Sequence, residues 1–177
     1  MRFVTPIGCG LGGAAALAIA WWRLGGTWML VPFAALAVVA SVLAWIDLTT
    51  HRLPNRIVVP TIAAAVPVLG AAAVFDHEPN RVIGAVVGGA ALFGGYLLLA
   101  LLSPTGMGMG DVKLAAIVGC FAGSLGVTAW LLAAIAGFVL GGVVATVGIL
   151  AGRARRDTAI PFGPWMLAGL WVAIALG

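Results

Sequence analysis

Residues 114–152 read LAAIVGCFAGSLGVTAWLLAAIAGFVLGGVVATVGILAG, 39 residues without a charged side chain. As a single α-helix this stretch would be about 58 Å long, nearly twice the roughly 30 Å of a bilayer's hydrocarbon core. Its best break is Gly123-Ser124-Leu125-Gly126, so the stretch reads as two membrane-crossing helices. Period-two alternation is absent, and the run far exceeds barrel strands of about 10 residues.

The other uncharged runs extend the pattern in both directions. They cover 3–22, 24–46, 57–75, 82–110 and 158–177, with lengths of 20, 23, 19, 29 and 20 residues. Each fits one crossing of about 20 apolar residues. The expectation is an all-α polytopic membrane helix bundle, one transmembrane domain over 1–177. Its seven spans fall at about 3–22, 24–46, 57–75, 82–103, 111–124, 127–150 and 159–177. Composition agrees. The 177 residues are 63% hydrophobic and 8% charged, against about 25% charged for soluble domains. So few charges cannot cover a water-exposed surface, and so apolar a chain is not disordered. The net charge of +4 is strung between apolar runs, with no basic stripe for nucleic acid. The 26 glycines suit close helix packing, as at Gly84 and Gly88 and at Gly137 and Gly141, each pair four residues apart.

The basic residues orient the spans. With the N-terminus cytoplasmic, Arg2, Arg52, Arg56, Lys113, Arg153, Arg155 and Arg156 lie inside, and Arg23 and Arg81 outside. That distribution obeys the positive-inside rule, with the C-terminus outside. Trp21, Trp22, Trp28 and Trp45 sit where an aromatic belt is expected. The first span also has the look of a cleaved signal peptide, which would leave the remaining topology unchanged. Cys9 and Cys120 lack metal-ligand spacing and read as packed apolar residues.

An Asp at the centre of a span costs about 2.5–3.5 kcal/mol. Asp76, Glu78 and Asp157 avoid this in loops, and with His77 they read as solvated. Asp47 and Asp111 do not avoid it, because they terminate uncharged runs of 23 and 29 residues. The topology puts both at cytoplasmic span ends, at one depth. Two facing carboxylates resist joint ionisation and share a proton. The ionised one activates water and the protonated one polarises a carbonyl, which is aspartic-protease chemistry without metal or cofactor. Gly108 and Gly110 clear the backbone beside Asp111 for an approaching substrate. Pro54 ends the helix bearing Asp47, and Asn55 caps the next. Lys113 either snorkels or acts electrostatically on Asp111. His51 either tunes the pH response or is a solvated loop residue. Met107 and Met109 either line a pliant groove or pack.

Gly108-Met109-Gly110-Asp111-Val112-Lys113-Leu114 resembles the GxGD signature of the prepilin peptidases, the type IV prepilin leader peptidases among GxGD membrane aspartic proteases. Asp47 with Leu53-Pro54-Asn55 is similar to their first aspartate motif. Ile160-Pro161-Phe162-Gly163-Pro164 is similar to the segment opening their last helix. The resemblance runs over 28–177. It implies an aspartic endopeptidase of the bacterial inner membrane, with Asp47 and Asp111 as catalytic pair. The implied substrate is a pilin or pilin-like precursor, whose basic leader is cut at the cytoplasmic face. No cofactor, metal or nucleic-acid partner is implied, and membrane lipid surrounds the enzyme. Many bacterial members insert a cytosolic loop with paired Cys-x-x-Cys motifs between the first two spans, and N-methylate the product. This sequence has no Cys-x-x-Cys, and Arg23 and its neighbours leave no room there; N-methyltransferase activity is not expected. The short form resembles tight-adherence or archaeal preflagellin peptidases, and the Ile-Pro-Phe-Gly-Pro match favours the bacterial side. Two other readings use the same residues. One is a proton- or cation-coupled transporter with the two acids as relay. The other is a membrane scaffold packed through its glycines.

Overall fold

A computed structural model describes residues 6–103, 107–151 and 161–177. Arg2, Arg153, Arg155, Arg156, Asp157 and Ile160, all used above, lie outside the described residues. Among the described residues there are seven helices: α1 (Pro6–Leu24), α2 (Leu30–Thr50), α3 (Asn55–Phe75), α4 (Asn80–Leu102), α5 (Met109–Leu125), α6 (Val127–Leu150) and α7 (Gly163–Leu176). The break in the long apolar run falls at Gly126, whose φ of 117° suits only glycine.

Of these, α2, α3, α4 and α6 are long and apolar enough to cross a membrane. At 17 and 14 residues, α5 and α7 extend about 26 and 21 Å at 1.5 Å per residue. These two short helices form the interior. α5 is buried at Val112 and continuously from Leu114 to Ser124. α7 is buried along most of its length, from Gly163 to Ile174. A helix apolar all round with no wet face belongs inside a bundle. The longer helices expose leucine and valine outward, as at Val86, Leu98, Val139 and Val147.

Glycines let α4 and α5 meet backbone to backbone. A Cβ on Gly84 would strike the carbonyl oxygen of Gly123, and one on Gly123 the carbonyl oxygen of Gly84. A Cβ on Gly119 would lie 2.8 Å from the carbonyl carbon of Gly88. Trp130 of α6 donates its indole N–H to the Gly88 carbonyl at 3.0 Å. α6 and α7 use the same device, because a Cβ on Gly169 would lie 2.8 Å from the Cα of Gly137. The paired glycines thus close two of the bundle's tightest seams, where dispersion contacts drive association in lipid.

The loop residue Asp76 does more than meet solvent. Its carboxylate accepts hydrogen bonds from the N–H groups of Trp28 at 2.7 Å and Met29 at 3.2 Å. It therefore satisfies orphan donors at the start of α2 from the far end of α3. Phe75 packs on Trp28 beside it, ring centroids 5.3 Å apart. Glu78 pairs with Arg81 at 2.6 Å, and that guanidinium holds the exposed Glu78 carboxyl below its usual range.

Candidate active site

The helices alternate direction, so the C-terminus of α2 and the N-termini of α3, α5 and α7 share one end of the bundle. Three local devices build the site there. First, α2 stops just beyond Asp47. Thr49 and Thr50 turn their hydroxyls back onto Trp45 and Ile46 carbonyls. His51 takes the left-handed conformation (φ 52°), and its N–H bonds the Asp47 carbonyl at 2.8 Å. Pro54 then starts α3 in an extended conformation, as a residue that fixes φ and lacks an N–H can.

Second, α5 begins directly after Gly108 and carries Asp111 in its first turn. Unsatisfied N–H groups there favour a carboxylate. Gly110 earns its place by contact. A Cβ on it would press the Leu53 side chain at 3.1 Å, so its bareness admits the turn that follows Asp47. Gly108 has more room, with its nearest neighbour, Asp111 Oδ2, at 3.6 Å from a built Cβ. Lys113 reaches sideways and donates to Asn55 Oδ1 at 2.9 Å. Asn55 therefore does not act as a side-chain cap on α3. Instead it clamps the start of α3 to the start of α5.

Third, α7 presents backbone to Asp47. The Gly163 N–H donates to Asp47 Oδ2 at 3.2 Å, and a Cβ at that position would lie 2.8 Å from the same oxygen. Asp47 is only 5% exposed, so this donor replaces water for an acid inside the bundle. Asp111 is half-buried. Gly163 also ties Asp47 to the helix of Asp111, since a Cβ there would lie 3.3 Å from Cδ2 of Leu114, three residues beyond Asp111 on α5.

All the expected site residues, Asp47, Pro54, Asn55, Gly108, Gly110, Asp111 and Lys113, are thus gathered at one end. Met107 packs against the core, and Met109 is exposed. Two neighbours escaped the list of expected residues. Gly163 was legible only as part of a motif. Tyr96, the chain's single tyrosine, is 3% exposed on α4 and packs against Phe138 and against Phe162, the residue before Gly163. A lone hydroxyl in an apolar helix was the signal available for it. Among the described residues, no group of three or more His, Cys, Asp or Glu is placed to hold a metal.

The clamp is testable by itself. Lys113→Met and Asn55→Ala should each cost about 1 kcal/mol of stability, the scale of one hydrogen bond. Thermal unfolding in detergent should find the double variant no worse than the weaker single one. Additive losses would mean the two residues act separately.

Residues 34–146 match the model of the type IV leader peptidase family. The prepilin leader peptidase/N-methyltransferase of Stutzerimonas stutzeri is 33% identical over 160 residues, 88% of this chain and 53% of its own length. The protein of the same name from Pseudomonas putida is 31% identical, covering 98% of this chain and 58% of its own. That from Bacillus subtilis is 28% identical, covering 93% and 63%. The chain spans little more than half the length of these curated relatives. No solved structure matches it.

Proposed function

We infer the activity from one premise: the chain belongs to the type IV leader peptidase family. It is an integral membrane protein of that protease family, and the transporter reading draws no support from the relatives. The proposed reaction is hydrolysis of the leader peptide from a pilin or pilin-like precursor, with Asp47 and Asp111 as the catalytic pair. The observation that carries this reading is the placing of two acids from separate helices at one end of the bundle, with Asp47 held by a main-chain donor.

One carboxylate is ionised and takes a proton from water as the water oxygen attacks the scissile carbonyl carbon. The other is protonated and gives its proton to the carbonyl oxygen, forming a tetrahedral diol. Collapse breaks the C–N bond. The nitrogen takes the proton from the first acid, and the second acid recovers one from the diol. Water is consumed, an acid and an amine are released, and the pair returns to its starting protonation.

The proposed topology has seven spans within a single transmembrane domain, N-terminus cytoplasmic and C-terminus outside, with the acids at the inner face. Arg52, Arg56 and Lys113 support it by lying at the acids' end, while Arg23 and Arg81 lie at the other. A pilin precursor with a membrane-resident apolar helix and a basic leader suits this placement. The methyltransferase part of the relatives' name is not carried over, since only Gly25–Met29 joins α1 to α2. Purified protein in detergent should remove the leader from a pilin precursor, leaving one new N-terminus by mass spectrometry. An intact precursor under conditions where a known leader peptidase cuts it would overturn the assignment.

A further inference from the structure

The two helices that carry the acids also share a recess. It lies between α2 and α3, about 290 Å³ in volume, with Phe121 of α5 at its back. Leu36 of α2, Ala65 of α3 and Phe121 are buried and form its floor. Phe121 meets Phe33 edge to face, ring centroids 5.0 Å apart, so the floor is packed from behind. Ala35 and Ala64 are exposed on the rim. Both walls are helices long and apolar enough to span a membrane, so the recess opens sideways, towards lipid.

The lining selects an apolar occupant. Thr61 brings a hydroxyl to it, but that hydroxyl already donates to the Ile57 carbonyl at 2.7 Å. The shape suits a helix. In lipid an apolar surface gains nothing by leaving the hydrocarbon, and helices associate by packing closely against small residues. Ala35, Ala64 and Ala65 keep the walls low, so a second helix can approach and lower a large side chain between them. The placing of the recess ties it to the acids. Val39, on its wall, stands eight residues before Asp47 on α2, and Phe121 stands ten residues after Asp111 on α5. Those steps are about 12 and 15 Å of helix, both leading to the same end of the bundle. A chain cut at the acids, whose apolar helix continues into the bilayer, passes this opening.

We propose that the recess is the docking site for the precursor's own apolar helix. It takes a large apolar side chain that follows the scissile bond by about four residues if the intervening chain is extended, or by about eight to ten if it is helical. Seating that side chain fixes which peptide bond reaches Asp47 and Asp111. This inference rests on the peptidase reading above, and the experiment separates the two.

Ala64→Phe fills the recess from one rim and Ala35→Phe from the other; both positions are exposed, so neither change crowds the core. Kinetics in detergent compare a pilin precursor with a peptide that has the same leader and cleavage site but no apolar helix. For the precursor, KM should rise about 10-fold in each variant with kcat within about twofold, the pattern of lost uniform binding. For the peptide, both constants should stay within about twofold of wild type. Ala91→Phe, exposed on α4 beside a different recess, is the control and should leave both substrates unaffected. In vesicles of phosphatidylethanolamine and phosphatidylglycerol, a photo-cross-linking side chain at position 64 of Asp47→Asn should join the uncut precursor. Adducts with lipid alone would overturn the docking site and give the recess to an acyl chain. An unchanged KM for the precursor, or equal losses on both substrates, would overturn it too. A wild type that cuts neither substrate overturns the peptidase reading instead, and the cross-link then decides the recess by itself.

Discussion

Asp47→Asn and Asp111→Asn should each abolish leader cleavage while leaving the bundle folded. Asparagine keeps the shape of aspartate and retains a carbonyl oxygen. At position 47 that oxygen can still accept the Gly163 N–H, which now spans 3.2 Å. What is lost is the ability to hold and release a proton. A positioned acid or base contributes about 10²- to 10⁴-fold, and in the proposed mechanism each acid serves as both in successive steps. The expected fall in kcat is therefore at least about 10³-fold for either variant. A proposed pair that acts as a unit makes the double variant scarcely worse than either single one. Cleavage of a pilin precursor and thermal unfolding, measured on the same preparations, check both halves of this expectation. A tenth of wild-type activity in either folded variant would remove that residue from the catalytic pair.

The second large effect is on folding. Gly123→Leu should prevent α4 and α5 from closing. Its Cβ would meet the Gly84 carbonyl oxygen, with the Gly84 carbonyl carbon and the Gly88 Cα both 3.0 Å away. These are backbone atoms, so no rotamer change relieves them. Overpacking a well-packed core costs about 1–3 kcal/mol and sometimes more. Here the entire side chain has nowhere to go, so loss of monodisperse protein is expected. Gly94→Ala on α4 is the contrast, since nothing lies within 4 Å of its built Cβ. That variant should be neutral or gain about 0.5–1 kcal/mol from helix propensity. Size-exclusion profiles and unfolding midpoints distinguish the two. Normal yield and stability of Gly123→Leu would mean that the α4–α5 seam is looser than described.

The sequence carried the helical class, the break now located at Gly126, and the two acids worth watching. These rest on local quantities: run length, charge and glycine spacing. It did not reveal that α5 and α7 form the interior. Lipid and protein core are equally apolar, so hydropathy does not separate an inner helix from an outer one. Asp76 read as a solvated loop residue because its partners, Trp28 and Met29, are nearly fifty residues away in the chain. Lys113 was expected to snorkel or act on Asp111, and its bond to Asn55 depends on α3 and α5 starting side by side. Tyr96 was overlooked for the same reason. Its neighbours Phe138 and Phe162 come from two later segments, and only folding brings them together.

The hold on Asp47 has a bearing on how this site tolerates genetic change. A main-chain N–H belongs to every residue but proline, so altering the side chain at 163 does not delete the donor itself. Position 47 is vulnerable to subtraction, because any residue without a carboxylate removes the proposed chemistry. Position 163 is vulnerable to addition, because even one methyl group would lie 2.8 Å from the acid's oxygen. The two positions are therefore constrained together but in opposite senses, one by the chemistry it must supply and the other by the space it must leave.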